Sequence, residues 1–329
     1  MAAVTTLAPP ALTRCLIAVL AVAGLLAGCA AGSDHTTGGT AGTATAAPTR
    51  RVAQVRARIA PPPAVAVAPA PPVHGEEQLS WAGIQRSAAT WKPARQTAPM
   101  PLLLVLAGRR SSPLGEQLRT HLDDLARQGR AVVVFPRQLG RSWNAGVCCD
   151  ASTSDDSGFL AALVRQLVQE RVVDPHRVYA SGFSVGGMMA YRLACDHPTL
   201  LAGVASVGGV EVASCPAHFR VPLLEIHSRL DTEVPLAGIR SSDLTGPAMT
   251  GLPAVGAALQ NWRIRNGCAS NLYVGHATHA GPLEIRDVRG CPPGGAVRLV
   301  QTLGASHAWS APGTDTSAMV WQFLAAQAR

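Results

Sequence analysis

Short apolar runs alternate with amphipathic helical patterns through most of the chain, and this alternation restricts the fold more than any other feature. Three aliphatic runs bounded by glycine or proline have the length and composition of buried parallel strands, at Leu102–Leu106, Ala131–Phe135 and Arg177–Ala180. Further strands are predicted at Gly203–Val207, Pro222–Ile226 and Val297–Leu303.

Helical patterns occupy the segments between these runs. Leu114 to Gly129 is predicted as one helix, with Gly129 as its C-cap. The other predicted helices are 159–170, Val185–Ala194, Pro253–Asn266 and Thr316–Ala326. Because strands and helices alternate throughout, the sequence predicts an α/β fold with a mainly parallel sheet covered by helices on both faces.

The N-terminal segment has the pattern of an export signal. Arg14 precedes the apolar run Cys15–Leu26, which is short for a membrane span, and the run leads into Leu-Ala-Gly-Cys ending at Cys29. This order predicts a lipoprotein signal peptide over residues 1–28 and lipidation of Cys29, with an ordinary secretory signal as the alternative. Because Ala30 is not aspartate, we expect an outer-membrane anchor if the cell has such a membrane.

The residues that follow are dominated by Ala, Gly, Thr and Pro. Such a composition cannot bury enough apolar surface to order the chain, so residues 29–78 are predicted to be a flexible tether and residues 79–329 the folded α/β domain. The net charge is +8, but no compact basic patch with interleaved aromatic residues is present. The sequence therefore predicts no nucleic-acid partner and leaves the oligomeric state open.

The domain contains six cysteines, and in an exported protein these indicate disulfides rather than zinc ligands. We expect Cys268 to bond to Cys291 across a short excursion, and Cys195 to tie the segment after Ser184 to a neighbouring loop. The adjacent Cys148 and Cys149 are expected to bond to different distant partners. The six candidates are Cys148, Cys149, Cys195, Cys215, Cys268 and Cys291.

The pentapeptide Gly182-Phe183-Ser184-Val185-Gly186 has the pattern G-x-S-x-G. A predicted strand precedes it and a predicted helix follows it, which is the context of a nucleophile elbow. In such a turn the serine lies above the sheet edge, and the N–H of Val185 faces the developing oxyanion. The alternative is a structural glycine turn with a capping serine.

A serine nucleophile requires a base and an orienting acid, which follow it in the order Ser, Asp or Glu, His in the α/β-hydrolases. Asp231 follows the predicted strand PLLEI, and His307 follows the last predicted strand. The N–H of Arg109, after the first long strand, is the second expected oxyanion donor, ahead of Arg110. The rival acids and bases are Asp243, Asp287, Asp315, His227, His276 and His279.

From about Pro101 onward, the chain resembles the exported polyhydroxybutyrate depolymerase-like esterases, relatives of the feruloyl and acetylxylan esterases within the α/β-hydrolases. The motifs that carry the resemblance are SWNAG beside Cys148, Asp155-Asp156 before Phe159, DPHRVYASGFSVGGMMAYRLAC, IHSRLDTEVP and GASHAW. The resemblance implies Ser184 as nucleophile, Asp231 as acid and His307 as base.

The resemblance also implies that the loop containing Trp143 and Asn144 lies at the active-site mouth. A rigid turn packed under a disulfide is an equal alternative for that loop, and Trp309 is expected to wall the site. Two segments differ from the family pattern: Ala107-Gly108 stands where His-Gly is usual, and HSRLD stands where HGTAD is usual.

The sequence therefore predicts an exported serine esterase that needs no metal or organic cofactor. Polyhydroxyalkanoate, feruloyl, acetyl-polysaccharide and small acyl esters all remain candidate substrates. Aromatic residues make up only 4% of the chain, which favours short or soluble oligomeric esters over a crystalline polymer. The alternative from another class is a non-catalytic binding lipoprotein on a hydrolase scaffold.

Overall fold

A computed structural model describes residues 71–146, 148–149, 152–241, 251–269 and 277–329. The predicted signal peptide, the lipidation site Cys29 and the tether up to residue 70 lie outside these residues. Within the described part of the chain, no helix is both long enough and apolar enough to cross a membrane.

The described residues form one sheet of ten strands in the order β1-β2-β4-β3-β5-β6-β7-β10-β9-β8. The strands are β1 Val73–Trp81, β2 Ile84–Lys92, β3 Met100–Leu106, β4 Val132–Pro136, β5 Val173–Phe183, β6 Gly203–Val207, β7 Leu223–Ser228, β8 Thr278–Ala280, β9 Leu283–Asp287 and β10 Val297–Thr302. The six central strands, from β4 to β10, run parallel, and the strands at both edges are antiparallel. The predicted mainly parallel α/β sheet is therefore confirmed.

Helices cover both faces of this sheet. They are α1 Pro113–Thr120, α2 Asp124–Arg127, α3 Asp156–Gln169, α4 Val185–Asp196, α5 Val255–Arg265 and α6 Thr316–Ala325. Along β3, Leu102, Leu104 and Leu106 pack on the side of α3, α4 and α5, whereas Leu103 and Val105 pack on the side of α2 and α6. Because consecutive strand residues point to opposite faces, a continuous apolar run is what such a doubly covered strand requires.

The segment predicted as one helix from Leu114 to Gly129 is two helices instead. The chain leaves the helical conformation at His121, whose φ is 50°, and its N–H donates to the carbonyl of Gln117. This break lets Leu122 enter the core beside Leu125. Gly129, with φ of 68°, terminates the second helix.

The ordered domain begins before the predicted boundary at residue 79. Strand β1 begins at Val73 and pairs with β2 through a two-residue turn at Ala82 and Gly83, which have φ of 50° and 77°. Two consecutive residues of positive φ match the twist of a tight hairpin. Most of β1 is exposed, so it lacks the apolar pattern from which a strand is predicted. The edge strands β8 and β9 were not predicted either.

Three disulfides lie in the described residues. The predicted Cys268–Cys291 bond is present, and Cys195 at the end of α4 bonds to Cys215 in the loop after β6. The expectation of distant partners for the adjacent pair is wrong, because Cys148 bonds to Cys149. The other four cysteines of the domain are already paired with one another, which leaves these two to join within their own loop.

Replacing both Cys268 and Cys291 by alanine is expected to lower the free energy of unfolding by about 3 kcal/mol, since the bond constrains the unfolded chain. Its sequence separation is 23, whereas that of Cys148–Cys149 is 1. The matched control is therefore the double alanine variant at 148 and 149, which removes almost no loop entropy. Urea unfolding without reductant measures both, and equal losses would contradict the loop-entropy explanation.

Candidate active site

Ser184 lies on a sharp turn between β5 and α4. Its φ of 55° and ψ of −122° are unusual for a residue with a side chain, and its N–H donates to the carbonyl of Val207 at 2.8 Å. Such strained backbone persists only where the surrounding structure holds it in place. The predicted elbow conformation is therefore present.

Glycines make this turn sterically allowed. A Cβ on Gly182 would collide with the backbone of Gly186, and a Cβ on Gly186 would collide with the carbonyl of Leu106 in β3. The start of α4 thus rests directly on the backbone of two strands, as the roles of the two glycines in the motif require.

Asp231 lies in the loop after β7 and is almost fully buried. Its Oδ1 accepts hydrogen bonds from the N–H groups of Glu233 at 2.9 Å and Val234 at 2.8 Å, and its Oδ2 lies 2.7 Å from Nδ1 of His307. Burial alone would raise the pKa of Asp231, but the hydrogen bonds from His307 and Val234 outweigh it and lower that pKa. The carboxylate is therefore ionised and already oriented.

His307 lies in the loop after β10, and its imidazole packs against the residues that flank the elbow. The ring lies 4.8 Å from that of Phe183, and a Cβ on Gly208 would come within 3.3 Å of His307 Cε1. Because Nδ1 donates to Asp231, Nε2 is left as the acceptor of the neutral ring. This tautomer is the one a general base requires.

Ser184 opens into a cavity of about 390 Å³ that is lined by both aliphatic and polar side chains. The described lining residues are Arg109, Cys149, Ser184, Val185, Met188, Thr232, Glu233, Val234, Ile239 and Leu252. Both predicted oxyanion donors, Val185 and Arg109, are among them. The N–H of Arg110 instead donates to the carbonyl of Arg141 at 2.7 Å, which removes Arg110 as the alternative oxyanion donor.

The expectation that Trp143 and Asn144 contact substrate is wrong for the described cavity. Trp143 is completely buried, and its Nε1 donates to the carbonyl of Ala107 at 2.9 Å. Asn144 donates its backbone N–H to Asp156 and accepts from Arg192 through both its carbonyl and its side chain. These contacts favour the alternative interpretation of the loop, a packed turn. Through Trp143 the loop contacts the backbone directly after β3.

Trp309 does not line this cavity either. It is 4% exposed, and its Nε1 donates to Ser317 Oγ in α6. It belongs to a second cavity of about 470 Å³ between the α1–α2 segment and α6. The hydrogen bond to Ser317 therefore ties the indole of Trp309 to α6.

The rival acids and bases have other environments. Asp287 pairs with Arg298, Asp315 caps α6, and His279 is exposed on β8. His227 is buried beside Asp231, with Nδ1 on Glu225 and Nε2 on the carbonyl of Val234. Asp243 and His276 lie outside the described residues. Among the described residues, no three His, Cys, Asp or Glu side chains are grouped to hold a metal ion.

Glu116 in α1 was not predicted from the sequence, although it lies beneath the residues after β3. Its carboxyl is completely buried, and Oε2 is 3.5 Å from the N–H of Gly108 and 3.4 Å from Ser111 Oγ. Burial raises its pKa to about 7, against the lowering effect of Arg119. No local signal marks it, because a glutamate in the first turn of a helix is ordinary.

Comparisons with known proteins identify the fold. Residues 147–243 match the phospholipase/carboxylesterase family. A solved acetyl xylan esterase from Aspergillus awamori superposes with a TM-score of 0.57 at 14% identity, covering 76% of this chain and 99% of that one. The chain therefore has the α/β-hydrolase fold.

Curated relatives add sequence similarity. NocK of Nocardia uniformis subsp. tsuyamanensis, named as an esterase, is 35% identical over 45% of this chain and 45% of its own length. A bifunctional acetylxylan esterase/xylanase from Neocallimastix patriciarum is 32% identical over 45% of this chain and 22% of its own. The chain thus spans less than half the length of each of these relatives. Its sequence is similar to that of esterases, and the predicted resemblance is confirmed at this level.

Replacing Glu116 by glutamine is expected to change the pH dependence of stability. The folded pKa of about 7 lies above the reference value of 4.5, so the folded state holds the proton more tightly and wild-type stability falls as pH rises between these values. The loss is on the order of 3 kcal/mol for a shift of about 2.5 units.

The glutamine variant lacks this titration, so its stability relative to wild type is expected to rise from about pH 5 to about pH 8. Urea unfolding at both pH values measures the difference. Glu76→Gln, at an exposed position of β1, is the control. The same pH trend in both variants would contradict the assignment to buried Glu116.

Proposed function

We propose that this chain is an exported serine esterase in which Ser184 is the nucleophile, His307 the base and Asp231 the orienting acid. The observation that carries the proposal is the hydrogen bond from His307 Nδ1 to the buried Asp231 carboxylate, beside a serine on a strained elbow. The same three groups recur together in unrelated serine hydrolases because a serine hydroxyl needs this assistance to act as a nucleophile.

The reaction proceeds in two stages, acylation of Ser184 and hydrolysis of the acyl-enzyme. Nε2 of His307 takes the proton of Ser184 Oγ as this oxygen forms a bond to the ester carbonyl carbon, and the N–H groups of Val185 and Arg109 hold the oxyanion. The ester bond then breaks, and His307 gives its proton to the departing alcohol. His307 next takes a proton from water, which attacks the acyl carbon. The bond from this carbon to Ser184 Oγ then breaks, His307 returns the proton to Oγ, and the carboxylic acid leaves.

The lining of the cavity favours a short aliphatic acyl group. Met188, Val234, Ile239 and Leu252 provide an apolar wall, and the Cys148–Cys149 disulfide extends it. The described lining contains no aromatic ring to stack on a feruloyl group. We therefore propose short acyl or hydroxyalkanoyl esters as the substrate class, ahead of the feruloyl and acetylxylan esters in the names of its relatives.

Export is proposed on two grounds. The described cysteines form disulfides, and such bonds persist outside the reducing cytosol. The N-terminal pattern that ends at Cys29 adds the proposal of a lipid anchor.

Replacing Ser184 by alanine is expected to lower kcat/KM for a p-nitrophenyl ester by about a thousandfold or more, because the covalent step is lost. Ser181→Ala is the matched control, since Ser181 lies on the same strand and its buried hydroxyl has no hydrogen-bond partner among the described residues. A fluorophosphonate probe is expected to label wild type and Ser181→Ala only. Undiminished turnover by Ser184→Ala would contradict Ser184 as the nucleophile. A folded wild type that is neither labelled nor active would favour a non-catalytic binding protein.

Replacing Leu252 by tryptophan is expected to narrow the cavity and to change chain-length preference. The kcat/KM for p-nitrophenyl hexanoate should fall about tenfold or more relative to that for the acetate, because overpacking excludes the longer acyl group first. Leu118→Trp, at an exposed position of α1, controls for the added indole. A parallel fall for both esters, or faster hydrolysis of methyl ferulate than of any aliphatic ester by wild type, would contradict the proposed substrate class.

A further inference from the structure

A buried charged cluster lies beside Asp231, and its His227 is nearest to the same carboxylate oxygen, Oδ2, that bonds to His307. Glu225 and His227 are two residues apart in β7, and both side chains are completely buried. Nδ1 of His227 lies 2.8 Å from Glu225 Oε1, and Nε2 lies 2.7 Å from the carbonyl oxygen of Val234. Each ring nitrogen therefore has its own oxygen partner.

These partners restrict where the protons lie. The carbonyl of Val234 can only accept, so Nε2 must carry a hydrogen. Glu225 accepts from Tyr191 Oη at its other oxygen. Burial raises the pKa of Glu225, and the hydrogen bonds from His227 and Tyr191 oppose this effect by stabilising the carboxylate. Asp231 Oδ2 lies 3.6 Å from Nε2, which adds a second negative charge beside the ring. The arrangement suits a ring that donates from both nitrogens, and a carboxylate that accepts on both oxygens.

We propose that His227 is a permanent imidazolium. It positions Asp231 for catalysis and offsets part of the negative charge of the Asp231 carboxylate. The proposal rests on the proposed esterase function, because its consequence is expressed through Asp231 and His307. His227 is a positioning residue, since it acts through the acid and not on the substrate.

The first part of the role is geometric. Val234 donates its N–H to Asp231 Oδ1 and offers its carbonyl to His227 Nε2. The backbone of Val234 is therefore fixed by two hydrogen bonds, one to Asp231 through its N–H and one to His227 through its carbonyl. Movement of Val234 would rotate the carboxylate away from His307, and displacements of about 1 Å cost catalysis heavily.

The second part of the role is electrostatic. Burial opposes a charge on His227, but the hydrogen bond and charge of Glu225 outweigh it and raise the pKa of His227. Ionised Glu225 and Asp231 with cationic His227 carry a net charge of −1, and protonation of His307 brings the cluster to zero. Without the charge on His227, the cluster would stabilise the protonated form of His307 more strongly.

The charged and titratable groups around His227 come from several elements. Glu225 shares its strand, Asp231 lies in the following loop, and Tyr191 of α4 contacts Glu225. Farther out, Glu211 acts on Tyr191 and pairs with Arg265 of α5. Among these groups, Arg265 is paired with Glu211, so the His227 imidazolium is the cation of the cluster that lies next to Asp231.

The protonation state can be measured without any turnover. In uniformly ¹⁵N-labelled protein, both ring nitrogens of His227 are expected to carry hydrogens at about pH 7, with assignment from the loss of these signals in His227→Gln. In Glu225→Gln, where the carboxylate is gone, the ring should lose one proton within the neutral range. A wild-type His227 with a single ring hydrogen at about pH 7 would overturn the proposal.

Kinetics test the consequence for the reaction. The amide of His227→Gln has a single donor group, its NH₂, and carries no charge. The kcat of this variant is expected to fall about ten- to a hundredfold with little change in KM. The acid limb of kcat/KM should move to higher pH by about half a unit, because an opposing cation has been removed. His279→Gln, on exposed β8, is the matched control and should change neither.

The outcomes separate this proposal from the proposed function. If wild type hydrolyses esters and Ser184→Ala does not, an unmoved acid limb in folded His227→Gln overturns the role of His227 alone. If His227→Gln does not fold, through-bond correlations from the His227 backbone to its ring assign the signals in wild type and Glu225→Gln, and these signals still decide the protonation state. If no ester is turned over, the proposed function fails while the ring measurement stands.

Discussion

The hydrogen bond between Asp231 and His307 joins two loops whose residues are 76 positions apart, and the site depends on it. The pairing of β7 with β10 makes this bond possible, because Ser228 and Thr302 are register partners at the ends of parallel strands. Loops that leave the same edge of a parallel sheet meet there. The N–H of Arg229 donates to the carbonyl of Thr302 at 2.9 Å, and Ser228 Oγ donates to that of Ala305, so the two loops are also tied to each other.

The elbow reaches this pair across β6, which lies between β5 and β7 in the sheet. Gly208, at the end of β6, occupies the gap, and its φ of 61° together with the absence of a side chain lets the ring of His307 approach Phe183. Neighbouring strands thus bring three groups that are distant in sequence to one edge. Close packing of backbone against backbone, and not side-chain flexibility, determines their separation.

Two buried carboxyl groups support the two loops of the site. Glu116 lies beneath the residues after β3, with Gly108 N–H directed at it, and Glu225 lies beside the acid loop with His227 between. Burying such groups costs free energy, and the pKa of each is raised as a result. Their hydrogen bonds offset part of that cost and place the backbone that the proposed mechanism uses. The altered motifs Ala107-Gly108 and His227–Asp231 coincide with these two supported loops.

The sequence by itself determined the α/β class, the central strands and the turn at Ser184, because continuous apolar runs and glycine spacing are local consequences of a doubly covered sheet. It also placed Asp231 and His307 at strand ends. Only the tertiary structure decided that β1 begins at Val73, that Cys148 bonds to Cys149, and that neither Trp143 nor Trp309 lines the cavity. Edge strands, bond partners and side-chain directions depend on which segments pack together. Such contacts between distant residues leave no periodic trace in the chain.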